Sequence, residues 1–424
     1  MKLSNYNFPV KLSEDKTVLF NTITNKYALF EHHTYDILDS DCEEYFISHP
    51  EAAKDLLENG FLVKESVNEL LKVKNDFFAR AYNSSIYSVT IIPTTSCNLA
   101  CEYCFVDKNT RVMSLETCEV IEDYLINIIE KQANCLKYFQ VKWFGGEPLL
   151  CPEVIEHISD RLIKKCDEEG IVYHAKIFTN LTVITSKIHN IMKKSRIREI
   201  NTTLDGYGEY NDRRRCSKNG KKYFDIIIKN ILNLKNDFCI NIQVNIDKSN
   251  QQEIPELLNY LMETKILEKN RVTVGFNLVN DNDNITDKEQ LYKYSQKESM
   301  DLIDEYQTIL GEYAEYSMPA STLNCFAMAK NSVVIDAAGK LYKCYKSEKD
   351  NISFGTVFDK QYELQDTQYQ TLLCNPFHRK ECLKCNVFPL CYGGCYNENK
   401  HTLICSYKYI LERKIKRYFS QYCE

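Results

Sequence analysis

The stretch TTSCNLACEYCFVDK, Thr94 to Lys108, places three cysteines at spacings of x3 and x2 with no fourth nearby. A structural zinc site closes four protein ligands around one ion. Three thiolates instead suit a four-iron iron–sulfur cube with one iron left free for a small chelating molecule. The stretch follows the strand-like run YSVTIIP, so the thiols stand at a strand's C-terminal end, where α/β folds bind ligands.

Further along, strand-like runs recur at FQVKWFG, IVYHAKIFT, EINTTLD, INIQVNID and RVTVGFNLV. Amphipathic helical runs separate them, such as SLETCEVIEDYLINIIEKQ, in which Val120, Ile121, Tyr124, Leu125 and Ile128 share a face. Six alternations of strand and helix predict a parallel sheet covered by helices, as an open sheet or a partial barrel. Upstream, KTVLFNTITNKYALFEH reads as two strands about a polar turn. EAAKDLLENGFLV reads as a helix stopped at Asn59-Gly60 and followed by a short strand. That strand–strand–helix–strand order resembles a winged-helix fragment.

Composition bounds the function. The 424 residues carry 53 Lys and Arg against 59 Asp and Glu, a net charge of −6, which gives no support for nucleic-acid binding. No apolar run long enough to span a membrane and no N-terminal signal stand out, so a cytoplasmic protein is expected. Nineteen cysteines in such a chain point to metal binding over disulfides.

The three-cysteine loop, with Tyr103 before its last cysteine, resembles the Cx3Cx2C signature of the radical S-adenosylmethionine (SAM) enzymes. Trp143 to Leu149, WFGGEPL, resembles that family's GGEP motif, and TTLDGYGEYNDRRR resembles its SLDG stretch, with Thr203 in place of serine. The resemblance implies a partial (β/α)6 TIM-type barrel. It assigns a catalytic cluster to Cys97, Cys101 and Cys104, and SAM contacts to Tyr103, Gly145, Gly146, Glu147, Pro148, Thr203 and Arg215. Glu147 would bring negative charge near the SAM amine, and Arg215 would pair with the SAM carboxylate. Asp205 reads as a helix cap, and no catalytic base is assigned.

The C-terminal third holds Cys325, Cys344, Cys382, Cys385, Cys391, Cys395 and Cys405, with Gly339 and Gly393-Gly394 between them. A zinc ribbon is the ordinary reading of paired Cx2C elements. The spacings resemble the SPASM domain, which implies two auxiliary 4Fe–4S clusters. Cys325, Cys344 and Cys395 would hold the first, and Cys382, Cys385, Cys391 and Cys405 the second. Asn331 stands where some members have a further cysteine, leaving the first cluster open or closed by Cys374. Of the other cysteines, Cys42, Cys118, Cys135, Cys151, Cys166, Cys216, Cys239 and Cys423, most read as buried small side chains.

Three segments are therefore expected: a winged-helix-like domain at 1–82 that grips a leader peptide, a barrel at 83–310, and a SPASM domain at 311–424. Sulfatase maturases carry a catalytic aspartate after the second SPASM cysteine, whereas Tyr345 stands here. The resemblance thus implies a maturase that cross-links a ribosomally made precursor peptide by a thioether or carbon–carbon bond. It would be fed by an external one-electron reductant such as flavodoxin or ferredoxin. Modification of a folded protein is the enzyme alternative, and an electron-transfer or zinc scaffold the non-enzymatic one.

Overall fold

The computed structural model describes residues 1–106, 110–279, 296–314, 325–345, 353–359, 376–395 and 407–420. They divide into two compact units interleaved in sequence. Among the described residues the first takes 1–83, 325–330, 376–395 and 407–420, and the second takes 84–314 and 331–359. The boundary at Asn83/Ser84 lies one residue from the expected end of the N-terminal segment, and the C-terminal third is shared between both units.

The first unit opens with β1 (Lys2–Leu3), β2 (Asn7–Lys11), β3 (Lys16–Asn21) and β4 (Lys26–Glu31). Helices α1 (His32–Ser40), α2 (Cys42–Ser48) and α3 (Pro50–Glu58), strand β5 (Leu62–Val63) and α4 (Glu69–Ala81) follow. The expected strands β3 and β4, helix α3 and strand β5 all form. The pattern missed β1, β2, α1, α2 and α4. Strand β2 is an edge of an antiparallel sheet ordered β2-β3-β4, the position that tolerates Pro9 in mid-strand. Strand β5 pairs antiparallel with β1.

This unit is not a free-standing N-terminal domain. Phe8, Val10, Val18 and Phe20 share a core with Val387, Leu390, Leu411, Ile415 and Phe419. A second core joins Tyr6, Val73, Phe77 and Ala81 to Met328, Cys382, Phe388 and Tyr392. Side-chain hydrogen bonds join them too: the Thr22 hydroxyl donates to the Asn386 carbonyl, and the Asn386 side-chain amide to the Asn7 carbonyl.

The second unit is built on the six expected parallel strands: β6 (Ile86–Ile91), β7 (Tyr138–Trp143), β8 (Val172–Phe178), β9 (Ile197–Thr203), β10 (Cys239–Ile246) and β11 (Val272–Leu278). They neighbour one another in chain order, and β12 (Ser332–Ile335) pairs parallel with β6. Strands β13 (Lys340–Tyr342) and β14 (Gly355–Thr356) extend the sheet antiparallel. Helices α5 (Leu115–Gln132), α6 (Pro152–Glu168), α7 (Ser186–Lys194), α8 (Gly208–Arg214), α9 (Phe224–Leu234), α10 (Ile254–Glu263) and α11 (Gln296–Leu310) complete it. Ser114 caps α5 and Thr185 caps α7, each accepting from a first-turn amide.

Parallel strands covered on both faces read as continuous apolar runs. These alternate instead. Phe139, Val141 and Trp143 of β7, Ala175 and Ile177 of β8, and Ile240, Ile242 and Val244 of β10 are at most 1% exposed. Each such large side chain contributes about 1.5–3 kcal/mol relative to an exposed one. Between them Gln140, Lys142, His174, Lys176, Glu199, Asn201, Asn241, Gln243 and Asn245 are half-buried. One sheet face is thus the hydrophobic core, and the other is polar and partly open.

Among the described residues no helix is long and apolar enough to cross a membrane.

Candidate active site

The three-cysteine loop leaves β6 and is pinned to the ends of neighbouring strands. Thr94 donates through its hydroxyl to the Arg111 carbonyl at 2.6 Å. The amides of Gly146 and Glu147 donate to the carbonyls of Thr94 and Ser96, at 3.0 and 2.8 Å. On the far side the Ala100 amide donates to the Cys216 carbonyl at 2.7 Å, and the Cys216 thiol returns a bond to the Ala100 carbonyl. Cys216 thus braces the loop.

Gly145 and Gly146 allow the first of these contacts. A β-carbon on Gly146 would stand 2.2 Å from the Ser96 carbonyl oxygen and 2.5 Å from that of Thr95. The close backbone approach that two glycines permit is therefore made to the cysteine loop.

Glu147 is fully buried. Its carboxylate accepts from the Leu149 amide at 2.9 Å, the Thr179 hydroxyl at 2.8 Å and the Asn180 amide at 2.7 Å. Burial pushes its carboxyl up from the usual range, and these three bonds pull it back. Glu147 thereby ties the end of β7 to the segment after β8. Asn180 relays that order to the loop, donating to Asn98 Oδ1 at 2.9 Å and to Cys97 Sγ at 3.8 Å.

On the β9–β10 side, Asp205 is fully buried and caps no helix, contrary to the sequence reading. It accepts from the Tyr103 hydroxyl and from the Asn245 amide at 2.9 Å, and lies 3.6 Å from Arg215 Nη1 and 3.8 Å from Arg214 Nε. Arg214 is held by Asp247 and by Ser249. Arg215 donates to the Tyr103 hydroxyl, and its side chain is only 9% exposed. Burial works against the Arg215 charge, but Cys101, Tyr103 and Asp205 outweigh it and hold the guanidinium protonated. Among the described residues Arg215 Nε is buried with no hydrogen-bond partner. An arginine so anchored, with a donor to spare, fits a carboxylate ligand.

The cysteines are half-buried. Burial pushes Cys101 up to about 11, with Arg215 pulling the other way, and burial also raises Cys97. Cys97 Sγ accepts from the Leu99 amide at 3.4 Å, as a thiolate ligand does. Among the described residues no three His, Cys, Asp or Glu side chains converge as the ligands of a single ion do. Thiolates of a four-iron cube each hold a different iron and stand further apart. The loop, its donors and Arg215 therefore fit an iron–sulfur cluster with SAM. Thr203 ends β9, half-buried.

Aromatic side chains close the opposite side. Phe105, next after Cys104, stacks on Phe144 at 6.1 Å. Tyr345, next after Cys344, lies 5.8 Å from Phe105 and 5.1 Å from Phe144. Phe178 meets Phe144 edge-on at 5.6 Å. This cluster went unread because its members lie up to 240 residues apart; their places beside cysteines and glycines were the available signal.

Of the other assigned cysteines, Cys344 belongs to the sheet unit, and Cys325, Cys382, Cys385, Cys391 and Cys395 to the first unit. Cys382 is buried and the rest half-buried. Tyr392, Gly393 and Gly394 all take positive φ, a left-handed run that explains the glycine pair before Cys395. Asn331 donates to Gln132 Oε1 at 2.8 Å. Cys374, Cys405 and Cys423 lie outside the described residues. Of the cysteines expected to be mostly buried, Cys118, Cys151 and Cys166 are buried, Cys42 and Cys216 half-buried, and Cys135 and Cys239 exposed, so fewer than half of those described are buried.

Residues 91–261 match the family model described as Radical SAM superfamily. The chain is 24% identical over 368 residues to a cysteine-type anaerobic sulfatase-maturating enzyme of Clostridium novyi, covering 78% of this chain and 96% of that one. It is 26% identical over 229 residues to the radical SAM cyclopropyl synthase TigE of Paramaledivibacter caminithermalis, covering 46% of this chain and 47% of that one. The fold matches Streptococcus suis SuiB bound to its precursor peptide SuiA, with a TM-score of 0.54 and 18% identity over 96% of this chain and 99% of that one.

Proposed function

Because residues 91–261 carry a radical SAM domain, we propose that this radical SAM enzyme is a peptide maturase that cross-links a precursor peptide. The observation that carries the reading is the cysteine loop joined to a buried Tyr103–Asp205–Arg215 network whose Arg215 Nε has no hydrogen-bond partner among the described residues. Cys97, Cys101 and Cys104 would hold the catalytic cluster, and Arg215 the carboxylate of SAM. Bound there, the two groups supply the one-electron chemistry that ends in hydrogen abstraction from substrate. Glu147 and Asn180 fix the loop, Asp205 keeps Arg215 and Tyr103 in place, and the polar sheet face receives the substrate. Cys325, Cys344 and Cys395, and Cys382, Cys385, Cys391 and Cys405, would hold two auxiliary clusters. A reduced flavodoxin or ferredoxin would deliver the electron.

The first unit supports a peptide substrate. Among the described residues β4 pairs only with β3, and a groove of about 340 Å³ runs beside it, lined by Lys26, Tyr27, Ala28, Leu56, Asn59 and Phe61. A leader peptide would add a strand to this edge through main-chain hydrogen bonds. Co-expression with a short open reading frame adjoining the gene tests the whole reading. A product lighter by one hydrogen pair per cross-link, absent in the Cys97→Ala/Cys101→Ala/Cys104→Ala variant, is expected; an unaltered peptide alongside active SAM cleavage would refute it.

Similarity to the sulfatase maturase of Clostridium novyi favours a second reading, modification of a folded protein. Tyr345 packed in the aromatic cluster, where that branch carries an aspartate, argues against it. Incubation with an unmodified cysteine-type sulfatase separates the two.

A further inference from the structure

Two amides on the polar sheet face converge where a strand gives up its side chain. Gln243 of β10 is the cross-strand neighbour of Gly275 in β11, and Asn241, two residues earlier, shares its face. A β-carbon on Gly275 would stand 3.2 Å from Gln243 Oε1 and 3.3 Å from both Nδ2 and Oδ1 of Asn241. Both amide groups therefore lie over the glycine, and any side chain there would push them apart. A glycine inside a strand weakens it, and marks a bulge or a close approach. The β10–β11 register runs unbroken from Ile240 and Val272 to Ile246 and Leu278, so there is no bulge. Gly275 also keeps φ outside the left-handed region, so its backbone does not call for glycine.

The two amides are unevenly satisfied. Asn241 Nδ2 donates to the Thr273 hydroxyl at 3.1 Å, which leaves Asn241 Oδ1 to accept. Among the described residues Gln243 Nε2 is buried with no hydrogen-bond partner. A buried donor left unpaired costs stability, and a glycine in mid-strand adds to the cost. Neither the core nor the strand gains from the arrangement, whereas a ligand with a carbonyl oxygen beside an N–H completes it. The location is next to the cysteine-loop network. Gln243 is also the cross-strand neighbour of Thr203, which ends β9. Asn245, the next side chain on the same face about 7 Å along the strand, donates to the Tyr103 hydroxyl at 3.1 Å.

We propose that Gln243 and Asn241 form a subsite for an amide group of the substrate peptide. The carbonyl oxygen of that group accepts from Gln243 Nε2, and its N–H donates to Asn241 Oδ1. The assignment rests on the peptide-maturase reading and deepens it, fixing the substrate one side-chain step from the Tyr103–Asp205–Arg215 network. An ester of the same shape keeps the carbonyl but has no N–H, so it leaves the Asn241 acceptor unused.

The test uses the full-length, cluster-loaded protein with SAM under anaerobic conditions, read by saturation-transfer NMR. N-methylacetamide, a bare main-chain unit, is compared with methyl acetate, and propionamide, a bare side-chain carboxamide, with methyl propionate. One amide is expected to exceed its ester about fivefold, the worth of one hydrogen bond, and Gln243→Leu to bring the ratio near unity. Gly275→Ala, which sets a methyl group against both amides at an ordinary strand φ, is expected to remove the preference too. It carries the test if Gln243→Leu fails to fold by circular dichroism. The amide with the larger ratio identifies the source as main chain or side chain, and either result upholds the subsite. Equal signals from amide and ester in both pairs overturn it, as does a preference that survives the substitutions. So does a weakened SAM dissociation constant in Gln243→Leu, which would assign the amides to SAM. The probes need no turnover. A Gln243-dependent preference therefore upholds the subsite even if no peptide is cross-linked, and its absence overturns it even if one is.

Discussion

At the scale of single residues, Gly146 and Arg215 make opposite demands. Gly146→Ala sets a methyl group 2.2 Å from a backbone oxygen that cannot rotate away. The cysteine loop must move, at about 1–3 kcal/mol of stability. Iron per chain and SAM cleavage should both fall while circular dichroism still shows a folded chain. Arg215→Lys keeps the charge but loses Nε and the planar fork. SAM affinity should drop about tenfold, close to 1.4 kcal/mol, by anaerobic calorimetry, with cluster iron retained. The motif made Gly146 and Arg215 legible in sequence. It could not show Asp205 as the hub that holds Arg215, because an aspartate before Gly-Tyr-Gly reads locally as a cap. Its true partners, Tyr103 and Asn245, lie 102 and 40 residues away.

At the scale of elements, the six parallel strands were readable because each is a β-branched or aromatic run bounded by turn residues. The polar half of each strand was equally visible, at Gln140 and Lys142 or Asn241, Gln243 and Asn245, yet a run read as merely buried hides its second face. Strand β2 escaped notice because Pro9 argues against a strand until its edge position is known. Helix pairing brings its own requirement. Glu122 of α5 is fully buried and held by Arg161 of α6 at 2.7 Å, with His157 at 3.3 Å. Arg161→Ala leaves that carboxylate undercompensated and should cost about 3 kcal/mol, read as a lower urea midpoint. Glu122→Gln in the same background should recover much of the loss.

At the scale of the whole molecule, the N-terminal 83 residues share cores with segments beyond residue 325, so sequence order misleads about what can be removed. Deleting residues 1–82 strips Phe8, Phe20, Val73 and Phe77 from Phe388, Leu390 and Ile415. The truncated chain is expected to aggregate and to lose the iron that the proposed auxiliary clusters would hold, alongside any loss of peptide affinity. Size-exclusion chromatography with iron analysis checks this; a monomeric truncation with full iron would show the shared cores to be dispensable. The same interleaving sets a timetable during translation. Strands β2 and β3 leave the ribosome long before Leu390, Leu411 and Ile415 exist, and at cellular elongation rates the wait is tens of seconds. Through that interval the sheet unit can complete much of its own core while Phe8, Val10, Val18 and Phe20 lack theirs. The nascent N-terminus is therefore the part of this protein that most needs a chaperone, and the last to become native.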